Sequence, residues 1–435
     1  MQDWLSHAAG RAPDAPALRT AAGERSYAEL AEGARRTARM LAARGVARGD
    51  RVATTLPPGA AFAELLHAMP LLGAVLVPLN TRLSDGELRR QTEDAAPALV
   101  VEAPLEGAEA EPAPVAVEPG DPFTLLFTSG STARPKPVLL SYANHAASAH
   151  AAHARLPLGG DDRWLCVLPL FHVGGLAILV RCAIAGACAV VHDGFDAEAV
   201  RRSLEDGEAT VASLVPTMLR RLAAAGLARA PALRAALLGG GPIPADLLDW
   251  ARGRGIPVLP TYGMTETASQ VVTGEAGEPA GRPLPGVDLR IGAEGEILIR
   301  GPMAAAGALG EDGWLHTGDR GRLDPDGRLH VEGRLKDVIV TGGENVAAGE
   351  VEEVLLAHPA VEDAGVAARP DPEWGEVVVA HVVLSRSTAD AELAAHCRAR
   401  LAPYKVPKTF VRHAELPRNA AGKLLRGRLA DQRPV

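Results

Sequence analysis

Short apolar runs alternate with amphipathic stretches along the first 280 residues of this chain. Arg51–Leu56, Val75–Pro78 and Ala98–Val101 have the length and content of buried strands. The stretches between them carry helical spacing. Ser26-Tyr27-Ala28-Glu29 is a capping-box pattern followed by Leu30, Ala34, Ala38 and Leu41 on one face, Ala60–Leu72 is helical, and Ser84-Asp85-Gly86-Glu87 caps another helix. The alternation continues through Trp164–Leu168, Ala187–Val191, Thr210–Val215, the Pro216–Leu227 helix, Ala235–Leu238 and Val258–Pro260. It predicts a mainly parallel, helix-covered sheet. Beyond Gly281 the texture changes to short strands and turns, among them Gly295–Ile299, Trp314–Asp319 and the turn Asp324-Pro325-Asp326-Gly327. A small α+β unit follows, with helices at Glu350–Ala357 and Ala391–Leu401 and strands at Ala364–Ala367 and Val377–Leu384. The fold class is therefore α/β: a large N-terminal domain of helix-covered parallel sheets plus a β-rich subdomain, then a small C-terminal domain. The cut falls at Lys336, giving domains 1–335 and 336–435.

At 435 residues the chain exceeds one compact core, in keeping with two domains. A net charge of −8 leaves no basic field for nucleic acid or an anionic membrane, so the expected partner is a small molecule. Residues 103–121 are acidic and proline-rich and read as a surface connection. The N-terminus lacks a basic segment followed by an apolar run, and no stretch reaches transmembrane length, so a cytoplasmic location is expected. Cys166, Cys182, Cys188 and Cys397 lack disulfide or metal spacing and read as small core residues. Only five of the 45 basic residues are lysine. Lys136, Lys336 and Lys423 all stand beside glycine-bearing, turn-like segments, where a compact, flexible ammonium is useful.

Candidate chemistry centres on residues 123–137, FTLLFTSGSTARPKP, which read as a strand breaking into Thr128-Ser129-Gly130-Ser131-Thr132 before Lys136. Backbone N–H groups, hydroxyls and a lysine together suit a polyphosphate. A plain connection between strand and helix has the same composition. The stretch is not a Walker A loop, because Pro135 and Pro137 flank Lys136. A helix then carries His145, His150 and His153, whose spacing makes no His-x-x-x-His pair and reads as a solvated face. His172 follows a strand end and precedes Gly174-Gly175, where binding residues of α/β folds collect. Gly239-Gly240-Gly241 allows backbone to lie against a planar ring but is no G-x-G-x-x-G. Thr261-Tyr262-Gly263-Met264-Thr265-Glu266-Thr267 offers a ring, hydroxyls and a carboxylate for Mg²⁺, or is an ordinary polar loop.

Taken together, TSGSTARPK, GGGP, TYGMTE, HTGD, GRLKD, GGENV and PRNAAGK stand in the order of the adenylate-forming superfamily of acyl-CoA synthetases, adenylation domains and luciferases, and the chain resembles that superfamily over essentially its whole length. WLCVLPLFHVGGLAIL, LRAALLGGGPIPADLL and TYGMTETASQVVT look most like its 2-succinylbenzoate-CoA ligase branch, which serves menaquinone synthesis. The resemblance implies an AMP-forming acid–thiol ligase that uses ATP, Mg²⁺ and CoA. A carboxylate attacks the α-phosphate to give acyl-AMP and pyrophosphate, and the CoA thiol then displaces AMP. It further implies that Thr128, Ser129, Gly130, Ser131, Thr132 and Lys136 hold the β- and γ-phosphates, that Glu266 binds Mg²⁺, and that Thr265 touches the α-phosphate. Gly239, Gly240, Gly241 and the Thr261-Tyr262-Gly263-Met264 stretch would flank adenine, with Asp319 on the ribose supported by Arg334. Lys423 would bridge the attacking carboxylate and the α-phosphate until the small mobile domain swings about Lys336, bringing the Gly342-Gly343 loop to a CoA tunnel.

By position, His172, Ser213, Gly240 and Gln270 would line the acid pocket, and polar Ser213 and Gln270 fit an acid with a second carboxylate. Another aryl- or acyl-CoA ligase, or an adenylation domain loading a carrier protein, would carry the same markers. Nucleic acid and membrane are not expected partners, and a homodimer is allowed. The sequence departs from the superfamily at Ala133, Pro137 and Ala348; Pro137 removes an N–H donor from the phosphate side.

Overall fold

The computed structural model describes residues 3–128, 135–241, 243–278, 281–335, 338–341, 344–371, 374–419, 422 and 424–430. Three sheets organise them. In the first, Arg51–Thr54, Val75–Pro78 and Leu99–Val101 pair in parallel, and Pro122–Thr128 joins the edge of Val75–Pro78. Val52, Ala53, Leu76 and Val77 are fully buried, as parallel strands with both faces covered require. The helix Ala60–Leu72 and the strands Val75–Pro78 and Ala235–Leu238 have the bounds read from sequence, and Ser26 and Glu29 close the expected capping box.

The stretch from Pro122 to Ser141 departs from expectation. A helix was expected directly after the loop, but Lys136–Ser141 is a second strand, antiparallel to Pro122–Thr128, with Thr128 opposite Lys136. Val138 and Leu140 point inward while Leu139 is exposed, the period-two pattern of a half-buried strand. A strand thus stands on each side of the motif, whereas a helix follows the loop of a Walker A element. The helix Tyr142–Arg155 begins only then, capped by Ser141.

That helix also corrects the reading of its histidines. His145 is buried and sits 2.9 Å from the Thr124 hydroxyl, edge-on to the Phe123 ring; only His150 of the three is exposed. The helix is covered on two sides, by the helix Val173–Ala185 and the strand Ser269–Gly274, so little of its circumference is left for solvent.

The second sheet holds thirteen strands among the described residues. Val258–Met264, Ala235–Leu238, Val211–Leu214, Arg163–Cys166 and Cys188–Val191 lie side by side in parallel. On the other edge of Val258–Met264 the sheet turns antiparallel at Ser269–Gly274 and continues through Gly281–Pro283, Leu329–Arg334, Leu315–Leu323, Glu296–Arg300 and Asp288–Ile291. The β-rich part is therefore continuous with the α/β part, and Val258–Met264 belongs to both. The carboxyl ends of the parallel strands place residues 168–172, Val215, Gly239–Gly241 and Tyr262 along one edge, where α/β sheets bind ligands.

The third sheet, Glu344–Ala347, Val338–Thr341, Gly375–Leu384 and Val361–Asp371 with Thr409–Arg412 on Gly375–Leu384, has its own core around Val351, Leu355, Val366, Val382 and Cys397. Lys336, the expected boundary, lies outside the described residues, as do Gly342 and Gly343. The four cysteines are buried free thiols, as expected.

Candidate active site

Ser129, Gly130, Ser131, Thr132 and Lys423 lie outside the described residues. The stems of their loops are described. Thr128 Oγ1 donates to the Lys136 carbonyl at 3.3 Å, and Lys136 is exposed at the mouth of the hairpin. The strand Lys136–Ser141 passes within 8 Å, Cα to Cα, of the 3₁₀ turn Thr265–Thr267, so Lys136's strand and Glu266 belong to one corner of the molecule.

The turn is built by local necessity. Pairing with Ser269–Gly274 shifts register at Tyr262 and Gly263, where a Cβ would collide with the Ser269 carbonyl. Thr267 Oγ1 accepts from Met264 N at 3.2 Å and donates to the Ser269 carbonyl at 2.8 Å, closing the turn from inside. Ala268 and Ser269 take φ of 50° and 111°, conformations non-glycine residues rarely adopt and ones that cluster at functional sites. Thr265 and Glu266 are left half-buried, and among the described residues no cation pairs with the Glu266 carboxylate. No cluster of three metal-ligating side chains exists among the described residues. That donor set fits Mg²⁺, which takes one or two carboxylates and completes its shell with phosphate oxygens and water.

Among the residues expected to hold adenosine, Tyr262 Oη donates to Asp319 Oδ2 at 2.8 Å and Arg334 Nε meets Asp319 Oδ1 at the same distance. Arg334 and Asp319 are cross-strand partners on Leu329–Arg334 and Leu315–Leu323, and Arg334 Nη1 also donates to the Thr317 carbonyl. Burial, reinforced by the Asp319 charge, holds the Tyr262 phenol well above its ordinary value. Gly239 leaves no room for a side chain, because a Cβ there would strike the Thr261 hydroxyl, which donates to the Leu238 carbonyl. Gly240, at φ +81°, and Gly241 are exposed. Met264 is half-buried at the end of the same strand as Thr261 and Gly263.

Gln270, one of the residues expected to line the acid pocket, is bonded to a buried group that the sequence analysis did not single out. Arg181, on the helix Val173–Ala185, is 3% exposed. Its Nη1 donates to Gln270 Oε1 and its Nη2 to Ser148 Oγ, both at 3.0 Å, and its guanidinium lies 5.8 Å from the centre of the Trp164 ring. Trp164 Nε1 in turn donates to Ser213 Oγ at 3.0 Å. Arg181 Nε has no partner, and among the described residues no carboxylate pairs with this cation. Burial pulls its pKa down to about 10, so it is charged at neutral pH. In sequence, Arg181 sat inside LAILVRCAIAGA, where a lone charge breaks an otherwise apolar run; that interruption was the available signal.

His172 caps the same helix, its Nε2 buried without a partner, and its ring meets Phe171 edge-on at 4.6 Å. Burial, with Arg82 nearby, lowers its pKa to about 4, which leaves a neutral imidazole free to exchange one hydrogen bond. The turn that presents it is tight, because a Cβ at Gly175 would collide with the Pro169 carbonyl. From the C-terminal side, Gly422 reaches this region: a Cβ there would lie 3.7 Å from Thr217 Oγ1, at the start of the helix Pro216–Ala224.

The family profile "AMP-binding enzyme" matches residues 5–112 and 102–309, and "AMP-binding enzyme C-terminal domain" matches residues 350–423. The 2-succinylbenzoate–CoA ligase of Bacillus licheniformis is 39% identical, with 98% of this chain and 99% of that protein aligned. The o-succinylbenzoate CoA synthetase of Bacillus subtilis, in complex with the acyl-adenylate intermediate OSB-AMP, superposes with a TM-score of 0.94 at 37% identity over 100% of this chain and 99% of its own. Its complex with ATP and magnesium gives 0.93 over 99% and 100%. A double mutant of the same enzyme bound with its product analogue OSB-NCoA gives 0.75 over 100% and 98%.

Proposed function

The chain belongs to the AMP-binding enzymes, and on that premise we infer that it is an ATP-dependent acid–CoA ligase converting 2-succinylbenzoate, ATP and CoA to 2-succinylbenzoyl-CoA, AMP and pyrophosphate. The observation that carries the reading is the whole-length likeness to ligases of this acid, together with the corner where the Lys136 hairpin meets the Thr265–Thr267 turn.

Joining a carboxylate to a triphosphate brings anion against anion, so the site has to supply positive charge and donors. In this reading Lys136 and the hydroxyls of Thr128, Ser129, Ser131 and Thr132, with Gly130 between them, hold the β- and γ-phosphates. Glu266 holds Mg²⁺, which when bound neutralises phosphate charge, and Thr265 touches the α-phosphate. Asp319 accepts from the ribose hydroxyls, oriented by Tyr262 and Arg334, while Gly239–Gly241 and the Thr261–Met264 strand end flank adenine. Lys423 bridges the acid carboxylate and the α-phosphate.

In the acid pocket the neutral His172, Gly240, Ser213 and Gln270 surround the ring-bearing acid. Arg181 adds what the sequence reading lacked, an uncompensated positive charge behind Gln270. A second carboxylate on the acid is the group that such a charge selects, which supports a dicarboxylic aromatic acid over benzoate or a fatty acid.

Two domains, 1–335 and 336–435, with a hinge at Lys336, let one site serve both half-reactions. The fall in TM-score from 0.94 to 0.75 between two complexes of one relative supports such a rearrangement and associates this structure with the adenylate-forming arrangement. Among the described residues no helix is long and apolar enough to cross a membrane, and ATP and CoA are cytoplasmic pools, so we place the enzyme in the cytoplasm. The test is pyrophosphate release and thioester formation by the purified protein across 2-succinylbenzoate, benzoate and a fatty acid. Turnover of 2-succinylbenzoate at the highest kcat/KM is expected, and its absence alongside turnover of benzoate overturns the acid assignment.

A further inference from the structure

Lys423 follows the stretch Asn419-Ala420-Ala421-Gly422, in which, among the described residues, Gly422 N donates to the Asn419 carbonyl at 2.9 Å. The stems on either side are held differently. On the first, Arg418 spans both oxygens of Asp363, with Nε to Oδ2 at 3.1 Å and Nη2 to Oδ1 at 2.5 Å, while its Nη1 donates to the Gly422 carbonyl at 2.7 Å. One guanidinium thus ties the residue next to Lys423 to the strand Val361–Asp371. On the second, Arg426 Nη2 meets the buried Glu352 carboxylate at 2.6 Å and Nε donates to the Val366 carbonyl; Glu352 Oε1 accepts from Val366 N. Between the two ion pairs, Leu424 and Leu429 sit over Gly365, where a Cβ would come within 2.8 Å of both side chains.

All these anchors lie on the strand Val361–Asp371 of the third sheet and on the helix Ala348–Leu356 packed against it. A bidentate arginine–carboxylate pair fixes direction as well as distance. The pair is part-buried, so a thermal melt of each variant accompanies the kinetics to separate lost positioning from lost folding. The position of the loop is what the pair controls.

We propose that Arg418, through Asp363 and the Gly422 carbonyl, is a positioning residue for the adenylation half-reaction, holding the loop so that the ammonium of Lys423 arrives at the reacting carboxylate and α-phosphate. The inference rests on the role given to Lys423 above and goes beyond it by naming what aims that side chain. Misplacing a reacting group by about 1 Å costs on the order of 100-fold in rate, so loosening the loop is expected to be felt in kcat.

The test measures two half-reactions with full-length protein: pyrophosphate release from ATP and 2-succinylbenzoate, and thioester formation from CoA and supplied 2-succinylbenzoyl-AMP. Arg418→Met and Asp363→Asn are each expected to lower kcat of the first at least tenfold, with KM for ATP unchanged, and to leave the second within twofold. Arg418→Met combined with Lys423→Ala is expected to be no slower in adenylation than Lys423→Ala alone, because an aiming device is worthless once its target is gone. Equal losses in both half-reactions, or multiplied losses in the double variant, overturn the positioning role. If Lys423→Ala itself leaves adenylation intact, the function of Lys423 fails; if it cripples adenylation while Arg418→Met does not, only the present inference fails.

Discussion

The Tyr262 hydroxyl donates to Asp319 across 57 residues of sequence, joining the end of the parallel half of the large sheet to its antiparallel half. With Arg334 on the other oxygen, the carboxylate is oriented before any ligand arrives, as the proposed ribose contact requires. Tyr262→Phe is expected to raise KM for ATP about tenfold or more at nearly constant kcat, since a hydrogen bond to a charged carboxylate is worth roughly 1.5–3 kcal/mol. Asp319→Asn should cost more, because it also replaces an acceptor by a donor. Pyrophosphate-release kinetics with ATP varied decides it; unchanged KM in both variants would remove Asp319 from the nucleotide site.

Arg181 is a buried cation with no anion beside it among the described residues, a liability for folding. Arg181→Met is therefore expected to keep or raise Tm while raising KM for 2-succinylbenzoate at least tenfold and leaving KM for ATP in place. The preference for 2-succinylbenzoate over benzoate should shrink. A lowered Tm with unaltered preference would make the residue a structural one.

Glu266 is expected to answer to metal concentration. In the Glu266→Gln variant, adenylation should need several-fold more Mg²⁺ for half-maximal rate, and chelation should stop the native enzyme reversibly. Identical Mg²⁺ titrations for the two proteins would refute the carboxylate's role.

Burial depresses the pKa of His67 to about 4 and of His145 to about 3, both below the ordinary 6.5. Below pH 6.5 the unfolded chain takes up protons that the folded protein refuses, so stability is full above that pH and is lost as pH falls toward 4. Each such group contributes about 1.4 kcal/mol per pH unit across the window. Denaturation between pH 7 and 4.5 should show this slope, and His145→Gln, which retains a partner for Thr124, should flatten it. A stability profile that is level over that range would contradict the burial of both rings.

The alternation of strands and helices was legible because buried parallel strands need continuous apolar runs, and Val75–Pro78 and Ala235–Leu238 supply them. What the sequence hid was cross-chain. Lys136–Ser141 reads as loop until Pro122–Thr128 is laid beside it, since only pairing gives Val138 and Leu140 a shared inward face. His145 looked solvated because local spacing says nothing of the two elements that cover its helix. Tyr262 was read as a ring to stack, but the destination of its hydroxyl depends on a residue from another region of the sheet. Nothing in the sequence marks Arg181 as more than a break in an apolar run, because its meaning lies in the absence of a counter-charge around it among the described residues.

The helix Tyr142–Arg155 touches the hairpin, the Glu266 turn and Arg181. Ser141, its cap, ends the hairpin strand; Asn144 donates to the Pro302 and Ala304 carbonyls beside the Glu266 turn; Ser148 donates to the Ala268 carbonyl and accepts from Arg181. In the proposed reading the Glu266 turn and Arg181 are thus both held from one helix, by Asn144 and Ser148 one turn apart. A molecule that splices an adenosine unit to the aromatic acid would find both berths already in register, so joining the halves should sacrifice little fit while sparing the freedom lost when two separate ligands are captured.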